Sequence, residues 1–232
     1  MLSIKWISRA DAERACKRWH YSESLPLPPA VYLGVWEDGR WIGAIVFGRG
    51  ANVHLGSPFG LKSHQVAELC RVALAAHRAP VTQVVAIALR LFHKQSPEVQ
   101  LVISFADPVQ HHTGTIYQAG NWTYTGQTAP SEEWRTASGK RLNKRGFTGV
   151  NFGRPRAEVP TGAVCVPVPG KLRYVYAFDE TWRARLAALA TPYPKRVGPS
   201  GPAGNPPAVD GAAPIPTLHS SQDDPGPGPL DG

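Results

Sequence analysis

The chain has 232 residues, of which 42% are apolar and 18% are charged, and these values predict one globular domain rather than a wholly disordered chain. No run approaches the roughly 18 consecutive apolar residues that a membrane helix needs, and the charges near the start argue against a secretory signal. We therefore expect a soluble, cytoplasmic protein with no membrane partner. The cysteines, Cys16, Cys70 and Cys165, form no C-x-x-C pair, which argues against a disulfide framework and a cysteine zinc site.

The charge is unevenly distributed along the chain. The formal net charge is +8, but residues 197–232 contain four Asp and no Lys or Arg, so residues 1–196 carry +12. A body this basic is attracted to polyanions, because each neutralised phosphate releases counterions. Double-stranded DNA is therefore the first partner to consider, and a basic protein that binds no nucleic acid is the equally open alternative.

The C-terminal segment differs in composition from the rest. Residues 197–232 contain nine Pro and seven Gly and very few aliphatic or aromatic residues. Such a segment buries too little apolar surface to offset its chain entropy, and we expect it to be disordered. An inert solubilising extension is the simpler interpretation, and shielding of the basic body is the other. The sequence thus predicts a folded domain over 1–196 and a separate tail over 197–232.

A helix and a hairpin are predicted first. Residues 8–18 are expected to form a short helix with Ser8 as its cap. Two β-rich runs, 31–37 and 40–48, flank an Asp-Gly dipeptide at 38–39, which is the strongest hairpin signal in the chain.

Strands and helices alternate after the hairpin. Residues 66–74 form a predicted strand, and the apolar spacing from Val81 onward predicts an amphipathic helix with Pro80 and Thr82 in its first turn. Further predicted elements are a buried strand over 101–105, a short helix over 112–119 ended by Gly120, strands over 122–125, 147–152 and 171–178, and a capped terminal helix over 179–189. This alternation predicts a mixed α/β (α+β) fold.

The order of these elements resembles the GNAT acyltransferase superfamily. Common markers of other reaction classes, such as a P-loop, G-x-S-x-G or H-E-x-x-H, are absent from the sequence. The resemblance rests on the strand ELCRVAL at 68–74, the turn and helix that follow it, and IYQAGNW at 116–122. It implies a GNAT-like mixed central sheet flanked by helices, with the strand-turn-helix binding the pyrophosphate of an acyl coenzyme A. The residues implied in cofactor binding are Val72, Ala73, Leu74, His77, Arg78 and Thr82.

The turn of this unit departs from the superfamily pattern. Residues 76–80 read AHRAP where an R-x-x-G-x-G/A loop is expected. Backbone N–H groups and the positive end of a helix dipole beside Arg78 would still make an anion site. An ordinary strand-to-helix connection is the alternative.

A set of short motifs points to a narrower family. They are WHYS at 19–22, FGRGAN at 47–52, ELCRVAL at 68–74, SFADP at 104–108, IYQAGNW at 116–122 and KLRY at 171–174. Together, over roughly residues 15–180, they resemble the phage Mom family. The resemblance implies conversion of adenine in phage DNA to N6-(methylcarbamoyl)adenine, which protects the genome from host restriction. It also implies acetyl-CoA or a related acyl compound as small-molecule donor, and a bound iron is a further expectation.

Reaction at adenine N6 needs a base out of its stack, a group that manages the N6 protons and a cavity that excludes water. His20 is a candidate base or metal ligand, with tethering of a helix end as its alternative. Tyr21 is a candidate for stacking on the base or for metal ligation, with core packing as its alternative. Tyr117 lies where GNAT enzymes often keep a proton donor, and Ser104 is placed to contact either substrate.

Two charged residues complete the candidate site. Arg71 is a permanent cation in an apolar strand and needs an anionic partner. Glu68, three residues away in a strand, is expected on the opposite face, so Asp107 or a ligand phosphate is the expected partner. Asp107 follows a buried strand and is expected to face the ligand crevice, with helix capping as its alternative. If a metal is bound, the candidate ligands are His20, Tyr21 and Asp107.

A basic segment with aromatic neighbours over 134–147 is the predicted DNA contact. The candidate DNA-binding residues are Arg49, Asn52, Arg135, Lys140, Arg141, Lys144 and Arg145. The adjacent pair His111-His112 is expected to be solvated rather than metal-bound.

The leading hypothesis is therefore a phage DNA-modification enzyme, a GNAT-like transferase acting on the N6 amine of adenine. One alternative is an acyl-CoA-dependent N-acyltransferase that acts on a protein or a small amine. Another is a non-catalytic DNA-binding anti-restriction protein.

Overall fold

The computed structural model describes residues 1–50, 54–139, 141–142 and 158–195. The predicted strand over 147–152 and the predicted tail over 197–232 lie outside these residues. In chain order the elements are β1 (Leu2–Trp6), α1 (Arg9–Trp19), β2 (Ala30–Glu37), β3 (Arg40–Gly48), β4 (Val66–Leu74), α2 (Val81–Gln95), β5 (Leu101–Ala106), α3 (Thr115–Ala119), β6 (Thr123–Gln127), β7 (Ser131–Arg135), β8 (Arg141–Leu142), β9 (Val164–Val168), β10 (Leu172–Ala177) and α4 (Glu180–Ala187).

Most predicted elements are confirmed, and local signals explain their ends. Ser8 accepts a hydrogen bond from the Asp11 N–H at the start of α1, and Asp179 accepts one from the Trp182 N–H at the start of α4. Asp38 and Gly39 have positive φ between β2 and β3, as a tight two-residue hairpin requires. Pro80 is the residue before α2 rather than part of its first turn.

Seven strands form a mixed central sheet in the order β1-β2-β3-β4-β5-β10-β6. Its pairs are antiparallel except for β4 and β5, which are parallel. Helices cover both faces of this sheet. On one face lies α2, with Val84 and Val85 in the core, and on the opposite face α1 packs against Ala73 and Val46.

The α2 side of the sheet holds the larger part of the core. There Leu69 and Val102 of the sheet pack against Val84, Leu89 and Phe92 of α2. On the α1 side, α4 covers β5 and β10 through Trp182 and Leu186. This arrangement confirms the predicted GNAT-like mixed sheet flanked by helices. Among the described residues, no helix is long and apolar enough to cross a membrane.

Four strands were not predicted from the sequence: β1, at the edge of the large sheet, and β7, β8 and β9, which form a small sheet of their own. β1 pairs with β2 as the edge strand of the large sheet. It was not predicted because five residues give too short a pattern to identify from periodicity alone. A second, three-stranded sheet has the order β8-β7-β9. Its strands lie in the chain between β6 and β10, which are themselves antiparallel neighbours in the large sheet.

The pairing of β4 with β5 is short. Only Val66–Glu68 pair with Leu101–Ile103, although β4 continues to Leu74 and β5 to Ala106. The two strands therefore diverge beyond this point and leave a gap in the middle of the sheet.

An irregularity in β4 lies beside this gap. Val46 pairs with Arg71 and Phe47 pairs with Leu69, so Cys70 is an extra residue in the ladder. A bulge of this kind breaks the alternation of side chains. The expectation that Glu68 and Arg71 point to opposite faces was wrong for this reason: they pair with Gly48 and Val46, which are two residues apart on β3 and therefore face the same side, the α1 side.

Gly114 sets the position of α3. It has a φ of +79°, which favours glycine, and a Cβ at this position would overlap with the ring of Tyr174. The close approach of backbone and ring fixes the start of the short helix that carries Tyr117.

We predict that Gly114→Ala destabilises the protein more than Gly126→Ala does. Gly126 also has positive φ, at +91°, but a Cβ there would have no neighbour within 4 Å. The control should cost about 1–2 kcal/mol from backbone strain, and Gly114→Ala should cost about 1–3 kcal/mol more from the clash. Urea unfolding measures both; equal losses would contradict the role of the Tyr174 contact.

Candidate active site

A cavity of about 590 Å³ lies at the gap between β4 and β5. Val72, Leu74 and Val81 line it on the α2 side of the sheet, and Trp19 and His20 line it on the α1 side. One cavity therefore connects the two faces of the sheet. Such an opening allows two substrates to approach the same point from opposite sides.

A pair of hydroxyl groups lies inside this cavity. The Ser104 Oγ is 2.7 Å from the Tyr117 hydroxyl and 2.9 Å from the Leu69 carbonyl oxygen. Since the carbonyl can only accept, Ser104 donates to Leu69 and Tyr117 donates to Ser104. Burial raises the pKa of Tyr117 to about 12, so this hydroxyl keeps its proton at neutral pH.

An aromatic rim stands on the α1 side of the cavity, formed by His20, Tyr21 and His112. The rings of His20 and Tyr21 stack with centroids 4.4 Å apart, and Tyr21 meets His112 edge-on at 5.6 Å. Tyr21 is 43% exposed, so part of this surface is open to a further ring.

His20 is held as a neutral ring. Burial, with the nearby positive charge of Arg71, lowers the pKa of His20 to about 3. Its Nδ1 accepts a hydrogen bond from the Ser22 N–H at 3.1 Å, which puts the ring proton on Nε2. His20 therefore offers a donor and a flat surface, and it also ends α1 through its own N–H.

Arg71 does not have the carboxylate partner expected from the sequence. Its guanidinium donates to the carbonyl oxygens of Ser24 at 2.8 Å and Cys70 at 2.7 Å. It thereby ties the segment that follows α1 to β4. Burial raises the pKa of the neighbouring Cys70 thiol, which keeps it protonated and a poor nucleophile.

Asp107 lies at the end of β5 and is 2% exposed. Its Oδ1 accepts a hydrogen bond from the Val109 N–H at 3.0 Å, so the capping alternative holds. Its Oδ2 lies 3.4 Å from the Lys171 Nζ and 3.9 Å from the Arg141 Nη1. Asp107 therefore does not itself line the cavity. It positions Lys171, which does line it.

The residues implied in cofactor binding divide into two groups. Val72, Leu74 and His77 line the cavity, whereas Ala73 packs against α1 on the other face. Arg78 points away, and its guanidinium pairs with Asp38 of the hairpin. Thr82 lies in the first turn of α2 and outside the cavity wall.

The free edge of β4 fits the arm of an acyl donor. The Ala75 N–H donates to the Ile42 carbonyl on β3 at 2.8 Å. Because backbone groups alternate along a strand, the N–H and C=O of Val72 and Leu74 point away from β3 and into the gap. An extended chain with amide groups can hydrogen-bond there as an added strand.

The turn before α2 does not fit the pyrophosphate of such a donor. The Glu37 carboxylate accepts hydrogen bonds from the backbone N–H groups of Arg78 at 2.9 Å and Ala79 at 2.7 Å. Pro80 has no N–H to offer. The residues present therefore match an acyl-carrying arm but not the diphosphate of coenzyme A.

The candidate iron ligands are not arranged for a metal. His20 uses Nδ1 for Ser22, and Asp107 faces Lys171. Within the described ranges no group of three or more His, Cys, Asp or Glu could hold a metal ion. These residues therefore do not fit an iron site.

The predicted DNA-binding residues are only partly described. Arg49 is exposed at the end of β3, whereas Asn52, Lys140, Lys144 and Arg145 lie outside the described residues. Glu133 pairs with Arg135 at 3.5 Å and with Arg141 at 2.8 Å. These two arginines therefore stabilise the small sheet, and their charge is partly compensated.

Comparison with known proteins identifies the family. The Mom protein family matches residues 1–195. The chain belongs to the Mom protein family. This confirms the resemblance carried by the short sequence motifs. None of the curated proteins matches this Mom-family chain.

Solved acetyltransferase structures are similar to this Mom-family protein at low sequence identity. An aminoglycoside acetyltransferase AAC(6')-Ib in complex with coenzyme A and kanamycin is 12% identical, with a TM-score of 0.46, covering 80% of this chain and 99% of that one. A putative acetyltransferase from Salmonella typhimurium with acetyl-CoA is 12% identical, with a TM-score of 0.44 and coverages of 78% and 95%. Spermidine N-acetyltransferase from Vibrio cholerae, with CoA and spermine, is 9% identical, with a TM-score of 0.42 and coverages of 76% and 95%. At this identity the likeness concerns the fold alone.

Several residues of the cavity wall were not predicted from the sequence. Arg173 of β10 and Lys171, the residue just before β10, line the cavity. His112 joins the aromatic rim. The KLRY motif at 171–174 contained the signal for the two cations. His112 was expected to be solvated, and only the fold brings its ring against Tyr21.

We predict that Ser104→Ala and Tyr117→Phe are energetically coupled. Each change leaves a buried partner without its hydrogen bond and should cost about 1–3 kcal/mol. Once one hydroxyl is gone, removal of the other should cost less, giving a coupling of about 0.5–3 kcal/mol. A double-mutant cycle in urea measures it, and strictly additive losses would show that the two hydroxyls do not interact.

We predict that the stabilising effect of the Glu37 carboxylate disappears in acid. Hydrogen bonds from the Arg78 and Ala79 N–H groups hold the pKa of Glu37 below its usual value of 4.5. A lowered pKa stabilises the folded state above the unfolded value, and this contribution is lost as pH falls through the folded pKa.

The measurement is the melting temperature of wild type and Glu37→Gln between about pH 3 and pH 7. Wild type should be the more stable protein near neutrality, and the difference should narrow below about pH 4.5. Glu98→Gln, which removes a charge from an exposed loop, is the matched control. A difference independent of pH would contradict the role of the carboxylate charge.

Proposed function

We propose that this Mom-family protein is a DNA-modification transferase that adds a methylcarbamoyl group to N6 of adenine in DNA. The observation that carries the proposal is the cavity through the sheet, with the Ser104–Tyr117 pair inside and the aromatic rim at one end. Family membership over residues 1–195 supports it. The catalytic domain is residues 1–196, and residues 197–232 are a separate tail.

The aromatic rim is the proposed site for the target base. An adenine turned out of its stack is flat, and Tyr21, His20 and His112 offer flat rings at the cavity entrance. Stacking of one base on an aromatic side chain contributes about 1–3 kcal/mol. The neutral His20 ring adds an Nε2–H donor to this surface. It does so without adding a positive charge beside that of Arg71.

The hydroxyl pair is the proposed proton-handling group. In the transfer a bond forms between N6 and the carbon of the incoming group, and the bond from that carbon to the leaving atom breaks. N6 loses one proton and the leaving atom gains one. Tyr117 holds its proton at neutral pH because its pKa is about 12, which suits it to protonate the leaving atom; the proton lost from N6 then returns to the Tyr117 oxygen. Ser104 holds the Tyr117 hydroxyl in position.

The cations of the cavity wall are the proposed contacts for the DNA backbone. Arg71, Lys171 and Arg173 line the cavity, and the net charge of +8 attracts a polyanion over longer distance. Asp107 keeps Lys171 in place. Arg49, Asn52 and the basic segment from Arg135 to Arg145 would extend this contact outward. The activity is placed in the cytoplasm, where phage DNA meets host restriction enzymes.

We predict that expression in a bacterium yields plasmid DNA with a new, heavier deoxyadenosine, and that Tyr117→Phe sharply lowers its amount. Nucleoside mass spectrometry of purified plasmid is the measurement. Tyr193→Phe is the matched control, because its hydroxyl donates to the Trp122 carbonyl at 2.7 Å and it does not line the cavity. Its product should stay near the wild-type amount.

The same experiment separates the alternatives. Unmodified nucleosides from soluble, folded protein would contradict the proposal. Protection of the plasmid without any mass change would then indicate a DNA-binding shield. Modification of an amine other than DNA would indicate an N-acyltransferase.

A further inference from the structure

The turn between β4 and α2 is held by the hairpin of β2 and β3 through four polar contacts. Glu37 accepts from the N–H groups of Arg78 and Ala79. The Arg78 guanidinium pairs with Asp38, and the Arg40 guanidinium donates to the Ala76 carbonyl oxygen at 2.7 Å. Two acidic side chains thus lie against the start of α2.

These contacts use the groups that an anionic ligand would need. Backbone N–H groups at the start of a helix bind phosphates because they donate hydrogen bonds at the positive end of the dipole. In this protein the N–H groups of Arg78 and Ala79, in the turn just before α2, already bind the Glu37 carboxylate, whose side chain is only 12% exposed. The backbone bonds also keep the pKa of Glu37 low, so the carboxylate is charged at neutral pH.

A diphosphate could enter this turn only by displacing Glu37. It would then lie beside the displaced carboxylate and beside Asp38, and like charges in close contact repel each other. To offset this repulsion, the Arg78 guanidinium would have to break its ion pair with Asp38 and turn to the diphosphate. The turn is therefore closed to anions by a side chain of the same protein.

We propose that Glu37 is an internal ligand of the β4–α2 turn, and that the protein recognises its donor by an uncharged arm along β4 rather than by a diphosphate at this turn. The inference rests on the proposed function in so far as it describes the donor of that reaction. The backbone groups of Val72 and Leu74 are the positions that such an arm would contact.

The test follows the backbone amide signals of Arg78 and Ala79 by NMR in the full-length, isotopically labelled protein. Coenzyme A and inorganic pyrophosphate are the probes. In wild type, neither probe should produce a saturable shift of these two signals. In Glu37→Ala, both probes should produce a saturable shift of these two signals.

Two further variants make the test specific. Glu98→Ala removes one negative charge from an exposed loop and should behave like wild type. Glu37→Gln keeps an oxygen acceptor and removes the charge, so its response should lie between those of wild type and Glu37→Ala. Glu37→Gln also tests the proposal by itself if Glu37→Ala does not fold.

Two results would overturn the proposal. A saturable shift of the Arg78 and Ala79 signals in wild type would show that the turn binds diphosphate despite Glu37. Unchanged signals in both folded Glu37 variants would show that Glu37 is not what closes the turn. The nucleoside assay is read separately, so failure of the DNA-modification proposal is distinguishable from failure of this one.

Discussion

β4 and β5 stay paired for only three residues each and then separate, and the candidate site follows from that separation. A continuous sheet would bury its backbone groups and keep its two faces apart. Here the free backbone of β4 faces the gap, and the hydroxyls of Ser104 and Tyr117 lie where the strands separate. The extra residue at Cys70 lies in the same stretch of β4 and turns Arg71 toward the cavity.

The side chains around the gap keep it open while satisfying backbone carbonyl groups beside it. Ser104 donates to the Leu69 carbonyl, which would otherwise have lost its strand partner. Arg71 donates to two other carbonyls, one of them in the segment after α1. Buried backbone acceptors need such partners. The same hydrogen bonds therefore stabilise the opening and fix the residues proposed to act there.

Local sequence signals were sufficient for most elements, because caps, the Asp-Gly turn and apolar periodicity depend on neighbouring residues. β4 was predicted with its observed ends, and α2 with its observed start. The faces of β4 could not be predicted beyond Leu69, because a bulge leaves no local pattern in the residue types. Arg71 shows the consequence, since its partners are carbonyl groups rather than a carboxylate.

The candidate site was predictable in its residue types more than in its contacts. His20, Tyr21, Ser104 and Tyr117 do meet at one cavity. Arg78 does not, because it is held by Glu37 and Asp38, which lie about forty residues earlier in the chain. Contacts over such a separation depend on the register of the whole sheet, which no short motif encodes.

The small sheet of β7, β8 and β9 lies in the chain between two neighbouring strands of the large sheet, β6 and β10. Those strands would remain neighbours if the connection between them were shorter or longer, because the entropy of closing a loop grows only slowly with its length. This part of the chain can therefore change in sequence and size at little cost to the central sheet. Relatives with a different small sheet would present different surfaces beside the same opening, while the residues that line the opening stay as they are.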